Sequence, residues 1–354
     1  VARELSRLRG AAMKVGQLIS MDAGELLPRE LADIMARLRS DAEPMPPKQL
    51  RAVLDRQWGG GWLARFERFD VRPVAAASIG QVHRAQTRDG RDLAIKIQYP
   101  GVRRSIDSDV DNVAYLLRLS GALPEALDVA PLLDEAKRQL HEEADYRREG
   151  ECLERYRALI DGAEPFVVPA LHADFTTADV LAMDYVEGRP VESLADAPQA
   201  ERDRVATALV DLAMRELFEF GLMQTDPNFA NYRHDPATGR IALLDFGAAR
   251  DIPAAVVADY RRLVHVSLEG DLAAVRQAMI DIGFFDDRGL SRHEDAIMGV
   301  VADALPLLRA GVYDFADRTL ARRMRDEGAA MAADREFWSI PPPDTLFIQR
   351  KAAG

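Results

Sequence analysis

The sequence predicts an α+β protein of two lobes, preceded by a helical leader. The leader's apolar residues fall at helical spacing, short segments rich in Val, Ile and Phe follow within 66–99, and the chain is mainly helical from residue 199 onward. Helices and strands therefore do not alternate as they do around a parallel sheet. The predicted units are a helical leader (1–62), a smaller lobe (63–186) and a mostly helical larger lobe (187–354).

The leader is predicted to be helical because its apolar side chains recur every three or four positions. They are Leu31, Ile34, Met35 and Leu38. Pro44, Pro46 and Pro47 interrupt this stripe, and a second short helix is expected over 49–58. The glycine run that follows this helix ends it.

Three antiparallel strands are predicted next, over 66–73, 81–87 and 91–98. Their content of Val, Ile and Phe favours extended backbone. Asp89-Gly90 is a typical two-residue hairpin turn, which places the second and third strands side by side. The smaller lobe is therefore expected to contain an antiparallel sheet.

A charged helical stretch is expected over 105–160, broken near 121–124 and at Pro131. Further extended segments are expected at 167–168 and 180–183, and in an irregular hairpin within 224–246. The remainder of the larger lobe has helical periodicity.

Composition limits the possible functions. The net charge is −12 and no long block of Lys or Arg occurs, which argues against nucleic acid as a partner. Cys152 is the only cysteine, so an internal disulfide framework is excluded and a reducing compartment is expected. No apolar run approaches the roughly 18 residues of a membrane-spanning helix. The chain starts at Val1 with no signal-peptide pattern, and we interpret it as a fragment or a trimmed chain.

Small residues fill the turn between the first two predicted strands: Ala75, Ala76, Ala77, Ser78 and Gly80. Such a turn lets backbone N–H groups approach a phosphate closely. Val82 follows on the next strand, and Lys96 ends the third strand, where it could hold the α- and β-phosphates of a nucleotide. An ordinary small-residue turn would look similar by itself, but its combination with the hairpin and the lysine favours a phosphate site.

Oxygen-bearing side chains cluster in the predicted hairpin of the larger lobe. Asp226 precedes Asn231 by five residues, and Asp245 follows the apolar strand 241–244. Carboxylate and amide oxygens suit Mg²⁺, and an Asp beside a transferred phosphoryl group can orient the attacking hydroxyl. These residues could simply cap turns. Their joint spacing favours a magnesium site.

Glu143, Asp145 and Glu149 lie within the charged stretch and are expected to lie inside one helix. Alone they predict a solvated face. A lysine among phosphates, however, needs an acidic partner to fix its position, and Glu149 is the candidate partner of Lys96. Glu143 and Asp145 are expected near the edge of the nucleotide or its metal ion.

Several of these motifs resemble those of protein kinases. Positions 75–82 follow the G-x-G-x-x-G-x-V pattern with Ala75 and Ala77 in place of two glycines, and 94–96 resemble the end of the V-A-I-K strand. Asp226 and Asn231 keep the D-x-x-x-x-N spacing, and Asp245 begins a D-F-G sequence. Gln and Thr stand where His and Arg would precede the catalytic Asp, and no A-P-E motif follows. These departures argue against phosphorylation of protein substrates.

The departures fit one family, because Lys14-x-Gly16-Gln17, the alanine-rich loop, Glu143-x-Asp145 and the stretch 225–228 together resemble the UbiB (AarF-like) atypical kinases. The resemblance runs from about residue 11 to residue 350. It implies a bilobal protein-kinase-like fold with an added N-terminal helical extension, binding ATP or ADP with Mg²⁺. It also implies a link to ubiquinone or other isoprenoid-lipid metabolism.

Roles for further residues follow from the resemblance. Lys14 and Gln17 would belong to an inhibitory lid over the site, and the alanine-rich loop would alter nucleotide preference. The segment from Met183 to Val186 resembles the hinge between the lobes, whose backbone would contact adenine. Many family members carry hydrophobic segments beyond the kinase-like domain, so a membrane anchor is expected to have been removed from this chain.

Three classes of function remain open at this stage. The first is an ATPase or small-molecule kinase that acts near a membrane lipid or an isoprenoid intermediate. The second is a nucleotide-binding pseudokinase scaffold, and the third is a soluble small-molecule phosphotransferase of the aminoglycoside-phosphotransferase kind. An ordinary protein kinase ranks below all three. The expected location is cytoplasmic, peripheral to a membrane, and the sequence leaves the oligomeric state open.

Overall fold

The computed structural model describes residues 44–77, 79–119, 130–160, 165–226, 228–285, 293–332 and 342–353. The predictions for the apolar stripe of the leader, for Lys14 and Gln17, and for Ser78 lie outside these residues. The described chain forms a smaller, sheet-containing lobe and a larger, mostly helical lobe. This arrangement agrees with the two lobes that the sequence predicts.

The smaller lobe is built on an antiparallel sheet. In chain order its strands are β1 (Phe66–Phe69), β2 (Ala75–Ala76), β3 (Gly80–Thr87), β4 (Asp92–Gln98) and β6 (Val180–Asp184). They pair in the order β1-β3-β4-β6, and β2 pairs with the start of β3. The first strand is shorter than predicted and ends before Pro73, which has no N–H to donate to a sheet.

A short helix, α1 (Pro47–Trp58), covers one face of this sheet. Its buried leucines and valine pack with the alternate residues Leu93, Ile95 and Ile97 of β4 and with Phe175. Alternate residues of a strand point to the same face, so these three side chains lie together on the face that α1 covers. The helix that the sequence assigns to the leader therefore contributes to the core of the smaller lobe.

Between β4 and β6 the described residues form three helices: α2 (Val102–Leu119), α3 (Ala130–Glu143) and α4 (Tyr146–Ile160). Pro131 lies in the first turn of α3, where a missing N–H costs no helical hydrogen bond. The prediction that 143–149 lie inside one helix is wrong, because α3 ends at Glu143 and α4 begins at Tyr146. Asp145 accepts a hydrogen bond from the N–H of Arg147 at 3.2 Å, as an N-cap residue does.

The larger lobe begins with α5 (Gln199–Arg215), which runs into a π-helical turn (Glu216–Phe220). The larger lobe also contains two small sheets. One has the strand order β5-β10-β9-β7, and the other pairs β11 with β8. Their strands are β5 (Phe166–Val167), β7 (Arg189–Pro190), β8 (Leu222–Gln224), β9 (Tyr232–His234), β10 (Ile241–Leu243) and β11 (Ala249–Asp251). The β9–β10 pair is the predicted hairpin.

The remaining helices are α6 (Ala254–Glu269), α7 (Leu272–Ile282), α8 (Glu294–Arg309), α9 (Thr319–Ala332) and α10 (Pro343–Ala353). Gly270 and Gly283 end α6 and α7 in the left-handed conformation that favours glycine. Among the helices that the structure describes, none has the length and apolar character needed to cross a bilayer.

The last helix, α10, bridges the two lobes. Leu346 and Phe347 pack in the cluster that contains Ile79 and Tyr146 of the smaller lobe. The next residue, Ile348, belongs to the core of the larger lobe. This position brings the end of α10 to the front of the cleft between the lobes.

Candidate active site

The central feature of the cleft is a buried lysine between two carboxylates. Lys96 lies on β4, opposite Val82 of β3. Its Nζ lies 2.8 and 3.0 Å from the two carboxylate oxygens of Glu149 and 3.2 Å from Oδ2 of Asp245. The sequence predicts the Lys96–Glu149 pair, and the structure contains it. Glu149 projects from α4, so the pair joins the sheet to the inserted helices.

This cluster places one ammonium group between two carboxylates, and that imbalance sets the pKa values of its members. Burial opposes the charged form of Lys96, but Asp245 and Glu149 outweigh that effect and hold its pKa well above its usual value. Burial raises the pKa of Glu149 to about 7, although Lys96 opposes the rise, and Asp245 adds to it. One ammonium group cannot fully compensate two carboxylates. The charged form of Lys96 is therefore favoured, while ionisation of Glu149, the more buried carboxylate, is disfavoured.

The alanine-rich loop lies directly above the lysine strand. Ala75 and Ala76 form β2, and the N–H of Ala77 donates to the carbonyl of Gly80 at 2.9 Å, closing a tight turn. A Cβ on Gly80 would lie 2.4 Å from the carbonyl oxygen of Ile97 and 2.9 Å from the Tyr146 hydroxyl. Gly80 is therefore required by close packing of the loop against β4. The geometry leaves Ala75 and Ala76 exposed above the cleft.

The hairpin of the larger lobe brings Asn231 beside Asp245. The N–H of Leu244 donates to the carbonyl of Asn231 at 3.0 Å, and Asp245 is the next residue. One carboxylate oxygen of Asp245 accepts from the N–H of Gly247 at 3.0 Å. Asn228 caps the turn before Asn231, since its side chain accepts from the N–H of Ala230. Local turns thus place the backbone of Asn231 beside that of Asp245.

Gln224 joins this hairpin to the candidate catalytic residue. Its side-chain amide donates to the carbonyl of Asp245 at 2.7 Å and its side-chain oxygen accepts from the N–H of Asp226 at 2.8 Å. The sequence indicates this position only as a departure from the kinase motif. In the structure, Gln224 sets the spacing between the two aspartates.

A polar cavity of about 30 Å³ lies beside Lys96, Asp226 and Asp245, and Asn231 is not among the residues that line it. It is lined by Ile79, Lys96, Glu143, Asp226, Asp245, Gly247 and Ala248. The structure thus brings Glu143 to the cleft. Asp145 instead caps α4, and its carboxylate lies 3.8 Å from the guanidinium of Arg103.

The donor set suits a magnesium ion that binds together with a nucleotide. Asp245 and Asn231 offer a carboxylate and an amide oxygen, and Mg²⁺ usually completes its shell with water and phosphate oxygens. Across the described parts of the chain, no group of three or more His, Cys, Asp or Glu residues is arranged to hold a metal.

The sequence of residues 37–279 matches the ABC1 atypical kinase-like domain, which covers more than half of the chain. The chain belongs to the ABC1 atypical kinase-like family. This membership confirms the resemblance to the UbiB (AarF-like) kinases, and with it the kinase-like fold.

Related proteins are similar in sequence to this chain over its whole length. It is 34% identical over 357 residues to atypical kinase COQ8, mitochondrial, of Saccharomyces cerevisiae, covering 71% of that protein. It is 35% identical over 355 residues to atypical kinase COQ8B, mitochondrial, of Danio rerio, of which it spans 57%. Among solved structures, Rv3197 of Mycobacterium tuberculosis, in complex with erythromycin, is 28% identical with a TM-score of 0.61. That match covers 93% of this chain and 89% of Rv3197.

Long-range contacts hold the segment that follows Asp245 in place. Arg148 of α4 donates to the carbonyls of Gly247, at 2.9 Å, and of Ala249. Arg250 on β11 donates to the carboxylate of Glu142 at 3.0 Å. The inserted helices therefore hold this segment in place, a function that the local sequence pattern does not predict.

A second unpredicted contact reaches the candidate catalytic residue from α10. Nη2 of Arg350 donates to Oδ1 of Asp226 at 2.5 Å. The adjacent Lys351 lies 3.1 Å from the buried carboxylate of Glu216, and its Nζ donates to the Tyr232 hydroxyl at 3.1 Å. These contacts join residues more than a hundred positions apart, which is why sequence spacing gives no sign of them.

The predicted hinge lies at the end of β6. Met183 is buried and pairs with Ala94 of β4. The N–H of Tyr185 donates to the carbonyl of Asp92 at 2.8 Å, after which Val186 leads out of the smaller lobe. The contact of this backbone with adenine stays a prediction.

Proposed function

We propose that this chain binds Mg²⁺ and ATP in the cleft between its lobes and transfers or hydrolyses the γ-phosphate. The observation that carries the proposal is the buried contact of Lys96 with both Glu149 and Asp245. An ammonium held beside a metal-binding carboxylate, under a small-residue turn, suits a nucleotide whose phosphates bridge lysine and metal. Membership in an atypical kinase family supports this function.

In this proposal each residue acts mainly through position and charge. The backbone of the loop 75–80 faces the phosphates, and Lys96 holds the α- and β-phosphates while Glu149 fixes its position. Asp245 and Asn231 would hold Mg²⁺, which when bound neutralises phosphate charge. Asp226 orients the attacking water or hydroxyl and accepts its proton. Catalysis by such a site relies on preorganised electrostatics.

We further propose that the acceptor is water or a small lipid-linked molecule, in ubiquinone or other isoprenoid metabolism. Protein substrates are disfavoured because α10 packs across the front of the cleft and Arg350 contacts Asp226. We place this role at the surface of a membrane in a reducing compartment, which a single cysteine allows. The relatives named above are mitochondrial. Lys14 and Gln17 remain the proposed lid.

The pseudokinase scaffold is the second candidate function, and one observation favours it. The contact of Lys96 with Asp245 also fits this function, because it engages one oxygen of the carboxylate that would hold the metal. A scaffold would bind nucleotide without turnover. The soluble small-molecule phosphotransferase ranks third, since family membership separates this chain from that group.

The deciding experiment measures phosphate release from Mg²⁺ and ATP, with and without anionic liposomes. We expect turnover that rises with lipid and is lost in Asp245→Asn. The matched control is Asp281→Asn, which makes the same change on α7, where Asp281 pairs with Arg262 away from the cleft. Equal inactivity of wild type and Asp245→Asn, with nucleotide still bound, would favour the pseudokinase scaffold.

A further inference from the structure

The loop that carries Asp226 lacks a cation for the transferred phosphate. Between Asp226 and Asn231 the sequence is Pro-Asn-Phe-Ala, with no charged side chain. Phosphoryl transfer spreads negative charge over the oxygens of the moving group, and enzymes place a positive group there. Lys96 is held by Glu149 and Asp245 and serves the α- and β-phosphates in the proposed function. The γ-phosphate therefore needs another cation.

Arg350 lies beside the candidate catalytic carboxylate. Its Nη2 contacts the carboxylate of Asp226, and its side chain is 8% exposed. Its second terminal nitrogen, Nη1, is buried and has no hydrogen-bond partner among the described residues. A buried donor without an acceptor costs free energy. An anionic oxygen that entered beside Asp226 would supply the acceptor that this nitrogen lacks among the described residues.

The helix that carries Arg350 is held to the larger lobe by polar and cation–π contacts. Lys351 pairs with the buried Glu216, and the Thr345 hydroxyl donates to the carbonyl of Ile282 at 2.8 Å. The ring of Phe347 lies 3.9 Å from the guanidinium carbon of Arg250. Because α10 is held at these points, Arg350 loses little freedom when it binds a ligand, which is the condition for electrostatic catalysis.

We propose that Arg350 is a catalytic residue that binds the γ-phosphate of ATP and stabilises its transfer. In the step, the bond between the γ-phosphorus and the bridging oxygen breaks, and the electron pair leaves with ADP. The oxygen of water or of an acceptor hydroxyl bonds to the phosphorus, and its proton passes to Asp226. Arg350 contributes positive charge and two donors, one toward Asp226 and one toward the phosphate. This inference rests on the proposed function.

The experiment compares wild type with Arg350→Gln and Arg350→Lys in three measurements. They are the affinity for Mg²⁺ and ADP, the affinity for Mg²⁺, ADP and fluoroaluminate, and turnover of ATP. Fluoroaluminate mimics the transferred group, so the difference between the first two isolates the γ-phosphate position. The matched control is Gln349→Ala, a change at the adjacent position of the same helix.

We expect Arg350→Gln to bind ADP within about twofold of wild type. It should lose the added affinity for fluoroaluminate and about 10²- to 10³-fold in turnover, the range seen when one transition-state donor is removed. Arg350→Lys should recover part of both losses, and Gln349→Ala should resemble wild type.

Two results would overturn the role of Arg350 alone. One is equal fluoroaluminate binding by wild type and Arg350→Gln while ADP binding is intact. The other is faster turnover in Arg350→Gln, which would make the contact with Asp226 an inhibitory latch. Failure of wild type to bind ADP would instead reject the proposed function, and this inference with it.

Discussion

Two buried lysines pair with glutamates in this molecule, and their surroundings differ. Lys96 in the cleft is shared by Glu149 and Asp245, and it borders a polar cavity. Lys351 on α10 is matched by the carboxylate of Glu216 and the Tyr232 hydroxyl inside the larger lobe. The ammonium in the cleft thus faces an excess of negative charge beside space for a ligand. The one on α10 is balanced within packed protein.

The comparison shows how the same pair of side chains serves two purposes. Burying an ion pair contributes little net stability, but breaking one leaves a buried charge without a partner. At Glu216, burial raises the pKa and Lys351 opposes that rise, so the pair acts as a support for α10. At Glu149, the excess carboxylate leaves the cluster ready to accept Mg²⁺ and phosphate. The predictions below test this division.

The largest effect is expected for Lys96→Met. Loss of the ammonium removes the contact with the α- and β-phosphates, so turnover of ATP should fall by about 10³-fold. The variant should still fold, because the excess negative charge can be relieved by protonation of Glu149, whose pKa is already about 7. Circular dichroism and phosphate release measure the two properties. Turnover within tenfold of wild type would contradict the assignment.

Lys351→Met should act on stability instead. Removal of the ammonium leaves the carboxylate of Glu216, which is 1% exposed, without a counter-charge. The free energy of unfolding should therefore fall by about 3–5 kcal/mol. Denaturant unfolding of the variant measures this loss. The double variant Glu216→Gln with Lys351→Met should recover much of it, because it removes the stranded charge. A loss below about 1 kcal/mol in the single variant would show that the pair is not a support.

The pH dependence of stability tests whether ionisation of Glu149 is disfavoured in the folded protein. Its pKa in the folded protein is about 7, above the ordinary 4.5, so the folded state holds an extra proton between these values. Stability from this group is present below pH 4.5 and is lost as the pH rises through 7. Relative to Glu149→Gln, the wild type should lose up to about 3 kcal/mol between pH 4.5 and 8.

Chemical denaturation of both proteins at several pH values, without nucleotide or metal, checks this slope. Other titrating groups are common to the two proteins, so their contributions cancel to first order. A difference in unfolding free energy that is flat with pH would contradict the assignment. A difference that changes in the wild type's favour at high pH would contradict it more strongly.

Gly80→Ala should have the smallest effect of the four. Its Cβ would lie 2.4 Å from the carbonyl of Ile97, so the loop must shift away from β4. We expect a loss of about 1–3 kcal/mol in unfolding free energy and weaker nucleotide binding. Gly60→Ala is the control, because a Cβ added there meets no atom within 4 Å. Unchanged stability in Gly80→Ala would show that the loop has room to move.

The sequence predicts much of the fold because its elements have strong local signals. The Val-, Ile- and Phe-rich segments, the Asp89-Gly90 turn and the helical periodicity from residue 199 all correspond to observed elements. The division between α3 and α4 was not predicted, because Asp145 also fits a helix interior as a charged residue. The strands β8 and β11 have three residues each and were missed because they are too short to show periodicity.

The candidate site likewise contains residues that the sequence predicts and residues that it does not. Lys96, Asp226 and Asp245 were predicted because each falls at a fixed place in a local motif. Gln224 could have been noticed from its place before Asp226, but its two hydrogen bonds require the folded hairpin. Arg350 lies 124 positions from Asp226, and its role depends on how α10 crosses the cleft. No local pattern contains that information.

The most direct test of the central claim is equilibrium binding of ADP with and without Mg²⁺. The account predicts that Mg²⁺ strengthens ADP binding to the wild type by at least about tenfold, which corresponds to 1.4 kcal/mol. It predicts that Asp245→Asn loses this dependence and that Asp281→Asn keeps it. Binding that is independent of Mg²⁺, or equal in wild type and Asp245→Asn, would contradict the claim that Asp245 holds the metal beside Lys96.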